Sequence, residues 1–418
     1  LEGFFDLFFK MLDFEHCFKI TNTALKLNRL HPFIDFKRNK IALIQVVLMH
    51  SLFIYLIAMG MHSVRQDIKN NDYAQVCKTC VLNIADLLLS IQIVILIYHK
   101  KTLKVLIESV KEDYVSKDLS SEEILIMEKY ANRGTRVCKL WLYVSTTTSS
   151  LFVLKNLILI LYYYCISEFT LVPLYDLHYP SFINERKFNI SMFLFLYMTM
   201  FIYSILGASM YTSYVPLGPI FMLHASGQLE IVQRRIDNLF LVLDDSKIKD
   251  AIKDIIQRLQ NISRYFFSTP ASFVTSAEPA SGSNTYCRLN TVNLELVLNY
   301  YLFNITIFFF LIYLQGVKRY EISLEFVTFI FGGAILCIMP CYYSNILMNK
   351  SEDVRLSLYT CGWELYYNKS IRTSLLIIMQ RASKPFVIST IFRTLTLETL
   401  TDAFQQSYTI FNLLNTIW

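Results

Sequence analysis

The chain has little charge. Only 17% of its 418 residues are Asp, Glu, Lys or Arg, against about 25% in a soluble globular domain. That excludes a disordered chain and an acidic tail protein, and it argues against a soluble enzyme. Glycine (11) and proline (9) are too scarce for a collagen-like or low-complexity protein. The nine cysteines are scattered and form no disulfide framework, and Cys77 and Cys80 make a lone CxxC with no second pair. There is no phosphate loop, no metal-ligand spacing and no nucleophile–base pair, so neither enzyme activity nor a cofactor is expected. No internal repeat appears, which argues against an inverted-repeat transporter. No basic, apolar and cleavable leader is legible, and no signal peptide is expected. What is abundant is apolar surface. Hydrophobic residues make up 54% of the chain and aromatics 15%, and such an excess calls for a lipid bilayer. The net charge of +6 is not in itself a nucleic-acid signal, and no nucleic-acid partner is expected.

Crossing about 30 Å of hydrocarbon takes roughly 17–25 apolar residues. Runs of that length lie at Ile41–Met61, Val81–Tyr98, Leu140–Tyr164, Ile190–Met210, Leu296–Val317 and Phe326–Met348. A seventh, more polar run is Leu395–Trp418. The expected fold is therefore an all-α membrane protein of seven transmembrane helices. Lys and Arg set its orientation. The segment before span one and the loops after spans two, four and six hold 30 of them, and the other loops hold seven. This places the N-terminus in the cytoplasm and the C-terminus outside. A G-protein-coupled receptor has the opposite orientation. Span three here opens Arg136-Val-Cys-Lys-Leu-Trp, and span seven carries no proline. A metabotropic receptor or transporter is thus the weaker alternative.

The positively charged loops read as helices. Residues 99–139 and 222–267 extend the spans into the cytosol. Within the second, Ile248, Ile252, Ile255, Ile256, Leu259 and Ile262 recur at helical spacing with charges between them. Residues 349–394 behave similarly. Their apolar faces must be buried, between subunits as a cytoplasmic anchor or, alternatively, within one chain or on the membrane surface. Residues 268–292 are rich in Ser, Thr, Ala and Pro and read as an irregular insertion. Residues 1–40 form a cytoplasmic arm, and 41–348 hold spans one to six.

A charge in mid-bilayer costs on the order of 2.5–3.5 kcal/mol and needs a partner or water. Asp86 in span two and Lys155 in span three sit at depths that differ by about 7 Å. They are expected either to pair or to bind a polar group of a ligand. Asn83, Asn156 and Ser150 share that layer, and Leu87, Phe152, Phe193, Tyr197, Met200 and Phe326 surround it. An apolar lining with few polar groups suits a small volatile organic molecule. Taken singly, each of these aromatics fits helix packing or the interface belt better than ligand contact.

Span seven carries Glu398, Asp402, Gln405, Thr409, Asn412 and Thr416, within an arc of about 80° at 100° per residue. A polar stripe through a bilayer either faces water or packs on polar neighbours. The stripe points to a pore lined by one such helix from each of several subunits, with the acidic residues favouring cations.

Three features together resemble the insect odorant receptors. One is the seven-span plan with the N-terminus inside. Another is His224-Ala-Ser-Gly-Gln-Leu-Glu after span four. The third is the ordered block Leu358-Tyr-Thr-Cys-Gly-Trp-Glu, Leu375-Leu-Ile-Ile-Met-Gln-Arg-Ala-Ser-Lys-Pro and Ser407-Tyr-Thr-Ile-Phe-Asn-Leu-Leu. The related gustatory receptors usually end in a Thr-Tyr…Gln-Phe pattern and are the nearer alternative. The short loop between spans four and five resembles a ligand-tuned subunit, not the co-receptor. The resemblance implies a ligand-gated, non-selective cation channel in the plasma membrane of olfactory sensory neurons. It implies a heterotetramer with the co-receptor, held by the cytoplasmic helices. The odorant would sit between spans two, three, four and six. Residues Ile371 to Pro385 would stay cytoplasmic, and the gate would lie near Phe411, Leu414 and Asn415. Residues 268–292 depart from the family, which continues helically there.

Overall fold

The structure is a computed structural model. It describes residues 14–115, 119–166, 171–175, 177–187, 189–241, 244–266, 324–388 and 394–417. Its described elements are helical: α1 (Phe14–Cys17), α2 (Lys19–Leu27), α3 (Lys40–Lys69), α4 (Tyr73–Tyr98), α5 (Lys100–Val115), α6 (Ser121–Cys165), α7 (Ser181–Asn184), α8 (Ile190–Tyr214), α9 (Leu217–Asp237), α10 (Asp245–Phe266), α11 (Leu324–Thr360), α12 (Lys369–Arg381) and α13 (Leu397–Ile417). The expected span Leu296–Val317 and the irregular segment 268–292 lie outside the described residues.

Helix starts are written locally. Asn39 Oδ1 accepts from the Ala42 N–H at the head of α3, and Asp72 Oδ1 accepts from the Gln75 N–H at the head of α4. Ser120 and Glu123 form a reciprocal capping box at the start of α6, which satisfies two otherwise orphaned donors. Proline interrupts the run between α8 and α9 at Pro216, because it lacks the N–H that a continuing helix needs. Gly362, at φ +85°, ends the run through α11, a backbone setting that suits glycine.

Five helical stretches among the described residues are long and apolar enough to cross a membrane: α3, α4, α6, the run Ile190–Leu241, and Phe331–Leu365. They correspond to the expected spans one, two, three, four and six. Helix α13 is more polar and is not among them. Helix α6 is far longer than a bilayer requires. Its first turns carry Glu122, Glu123, Lys129 and Arg133 and belong to the charged end of the bundle.

At that end α9 packs on both α11 and α6, and α10 packs on α9. Ile220, Leu223, Leu229, Val232 and Ile236 of α9 are buried, and so are Ile248, Ile252, Ile255 and Ile262 of α10. These two apolar faces are therefore covered within the chain. Arg235 ties the layer together. Its Nε and Nη2 donate to Glu123 at 2.6 and 2.9 Å, and its Nη1 donates to Asp254. Leu365, Tyr367, Leu376 and Ile377, in and before α12, are exposed.

Candidate functional site

Four helices that cross the bundle line a half-open cavity of about 120 Å³. Helix α4 supplies Val81, Ala85, Asp86 and Leu89, and α6 supplies Trp141, Ser145, Ser149 and Phe152. Helix α8 supplies Tyr203, Ser204, Gly207 and Tyr211, and α11 supplies Gly332, Gly333 and Leu336. The space has a local cause. Tyr203, Gly207 and Tyr211 are spaced by four and fall on one face of α8, with a gap between the rings. Gly332 and Gly333 leave the facing wall without side chains. A Cβ on Gly207 would lie 3.8 Å from Leu89 Cδ1, so a small side chain fits there without strain.

The wall is apolar with a narrow band of hydrogen-bonding groups. The Tyr203 hydroxyl donates to Asp86 Oδ1. Tyr175 and Ser204 share a hydrogen bond at 3.1 Å, and Ser149 Oγ donates to the Ser204 carbonyl at 3.0 Å. Phe152, Tyr175 and Tyr203 follow one another with ring centroids 5.2 and 6.0 Å apart. The buried Trp141 Nε1 has no partner among the described residues. Tyr175 comes from the segment that joins α6 to α8. That segment is pinned to α3, with His178 Nε2 2.9 Å from Asp67 Oδ1 and the His178 N–H donating to Ser63 Oγ at 3.0 Å.

The structure brings together only part of the expected ligand layer. Asp86 and Phe152 line the cavity. Asp86 meets Tyr203 there, and no ion pair with Lys155 forms; Lys155 lies about one turn past Phe152 on α6, half-buried and off the lining. Asn156 is buried but spent on backbone, donating to the Phe152 and Leu174 carbonyls at 2.8 and 3.1 Å. Asn83 faces α3, so close to Gly60 that a Cβ there would fall 1.9 Å from Asn83 Oδ1. Leu87 and Ser150 point outward and are exposed. Phe193, Tyr197 and Met200 line a separate space of about 20 Å³ with Leu174 and Tyr179. The side chain of Phe326 lies outside the described residues. Sequence reasoning missed Trp141, Tyr175, Tyr203, Ser204 and Tyr211. The available signal was the Tyr203–Gly207–Tyr211 spacing and the Gly332–Gly333 pair.

On α13, Leu400, Ala403 and Ser407 are buried, and the helix packs on α11. Of the polar stripe, Glu398, Gln405, Thr409 and Asn412 are exposed and Asp402 is half-buried. Phe411, Leu414 and Asn415 have side chains outside the described residues. Cys77 and Cys80 sit in the first turns of α4 as free thiols, and no metal-holding cluster of three occurs among the described residues.

Residues 72–408 match the family model described as 7tm Odorant receptor. Odorant receptor 85c of Drosophila melanogaster is 26% identical over 98 residues, which are 23% of this chain and 25% of that relative. The alignment thus spans about a quarter of the relative's length. The fold is similar to the solved insect olfactory receptor OR5 from Machilis hrabei, with a TM-score of 0.75 and 13% identity, covering 96% of this chain and 97% of that one. OR5 in complex with eugenol gives a TM-score of 0.74 at 13% identity, covering 96% and 98%. The family model spans most of the sequence and the fold agrees with it: the chain belongs to the 7tm odorant receptor family.

Proposed function

We propose that the chain is the ligand-tuned subunit of a ligand-gated, non-selective cation channel, opened by a small organic molecule held in the cavity between α4, α6, α8 and α11. The observation that carries this reading is the cavity itself: a half-open, ring-lined space with one narrow polar band, set between helices that cross the bundle. Such a lining holds a small, mostly apolar molecule and fixes its orientation with few hydrogen bonds. A cavity of roughly this size and lining admits a ligand of about one aromatic ring. OR5, a protein of the same fold, has been solved with eugenol. Ligand binding opens a pore only if the open state holds the ligand more tightly than the closed one.

Seven spans are proposed: α3, α4, α6, α8, Leu296–Val317, α11 and α13. The N-terminus lies in the cytoplasm, and the setting is the plasma membrane of olfactory sensory neurons. The polar stripe of α13 would line the pore, with its gate around Phe411, Leu414 and Asn415. The exposed apolar residues around α12 would form the inter-subunit anchor of a heterotetramer with the co-receptor. The test is coexpression with a co-receptor subunit and recording of currents against a panel of volatiles. Wild type should respond within milliseconds without added nucleotide. Gly207→Leu, which fills the cavity, should abolish the response while surface expression persists. An undiminished response in that variant would overturn the assignment of the cavity.

A further inference from the structure

We propose that the cavity selects a small protonated organic amine, with Asp86 as its counter-ion and the surrounding rings as its cation–π walls. The inference rests on reading this cavity as the ligand site, and it deepens that reading by naming a ligand class.

Asp86 is the only acid that lines the cavity among the described residues. It is 5% exposed and lines the cavity from within an apolar helix. A carboxylate without a compensating charge is costly in a low-dielectric interior. Its hydrogen-bond partner among the described residues, the Tyr203 hydroxyl, is a neutral donor and supplies no positive charge. No Lys, Arg or His lines the cavity among the described residues. The site thus presents an anion-forming group whose charge complement is missing from the lining. A bound ammonium supplies that complement and donates its N–H to the carboxylate, a charge-assisted bond stronger than a neutral one.

The rest of the lining fits the same chemistry. Trp141, Phe152, Tyr175, Tyr203 and Tyr211 all face the space, and an ammonium beside aromatic faces is attracted by their quadrupoles, most of all when desolvated. An alcohol of the same shape would make one hydrogen bond to Asp86 but would supply no charge. A hydrocarbon would leave the acid unmatched. The size of the cavity suits a ligand of about one ring or a short chain.

Three probes of nearly equal size separate these cases: benzylamine, benzyl alcohol and ethylbenzene. Their affinities are measured by titration calorimetry on the full chain in lipid nanodiscs, with empty nanodiscs subtracted. Benzylamine should bind at least about tenfold more tightly than the other two. Asp86→Asn should erase that preference while ethylbenzene, which makes no hydrogen bond to Asp86, still binds within about threefold of wild type and so reports an intact cavity. Asp86→Glu, which keeps the charge, should retain the preference. Equal affinity for amine and alcohol in wild type overturns the proposal, as does amine binding that survives Asp86→Asn, or no binding of benzylamine at all. If Asp86→Asn fails to fold, the wild-type ranking and Asp86→Glu still decide. Amine binding in nanodiscs without currents in the coexpression test would sink the channel reading and leave this one standing. Currents evoked by apolar volatiles without amine preference would do the reverse.

Discussion

The Tyr203 hydroxyl donates a hydrogen bond to the buried Asp86 carboxylate, joining α8 to α4 across the wall of the cavity. Both groups lie in apolar surroundings, so each satisfies a need the other creates. Removing one partner leaves the other buried and unmatched, which costs more than the bond itself is worth. Tyr203→Phe should therefore lower stability by about 1–3 kcal/mol. Asp86→Leu combined with Tyr203→Phe should cost less than the sum of the two single changes, because the double variant leaves no orphaned polar group. Thermal unfolding of the four proteins in detergent measures the coupling. Strict additivity would show that the two side chains do not interact.

The arm before α3 carries a pH-sensitive contact. His31 is buried and its Nε2 lies 2.7 Å from Asn22 Oδ1. Burial, and then the positive charges of Lys26, Lys111 and Lys100, push its pKa down to about 4, while Glu15 works in the opposite direction. In the unfolded chain an imidazole titrates near 6.5. Between those two values the unfolded state binds the extra proton, so stability falls as pH drops through that window. Above about pH 6.5 the contribution is complete. Melting temperature should drop between pH 7 and pH 5 in wild type, and by less in His31→Gln. An identical slope in both would assign the acid sensitivity to other groups.

How much of this was legible in sequence depends on what each residue does. The spans α3, α4, α6, α8 and α11 are long apolar runs, and bilayer thickness imposes that signal directly. Asp86 stood out as an acid inside an apolar run. Tyr203, Tyr211 and Trp141 did not, because aromatic residues in a membrane helix read equally as packing. Their selection depends on which helices are neighbours and on rotation about each axis, and no single helix carries that information. The expected Asp86–Lys155 relationship failed for the same reason: similar depth does not bring two side chains onto facing surfaces. Leu87 and Ser150 shared the right depth but lie on the outward faces of α4 and α6.

Arg235 holds three helices of the charged layer at one point, with Glu123 of α6 and Asp254 of α10 on its guanidinium. Glu123 also closes the capping box of α6, so it serves two contacts at once. A lysine in place of Arg235 keeps the charge but cannot reproduce two parallel bonds to one carboxylate. Arg235→Lys should cost about 1.5–3 kcal/mol, and Arg235→Met a similar amount or more. Because the layer lies away from the cavity, probe affinity in the surviving folded fraction should stay unchanged. A thermal shift with unchanged benzyl alcohol affinity is the expected pair of results. Loss of affinity in step with stability would mean that this layer sets the shape of the cavity.

The two faces of α13 are unlike. Leu400, Ala403 and Ser407 are buried, while Glu398, Gln405, Thr409 and Asn412 lie on the surface of the chain. A polar face turned away from its own chain in a bilayer is costly unless it meets water or a polar neighbour. Several copies around a shared axis would supply both, and carboxylates near one mouth would raise the local concentration of cations. Asp402→Lys should therefore shift the reversal potential towards that of an anion-permeable pore, or lower single-channel conductance, in the coexpressed channel. Leu400→Val, on the opposite face, should alter expression or gating without changing ion preference. If neither conductance nor selectivity responds to charge changes at Glu398 and Asp402, α13 does not line the ion path.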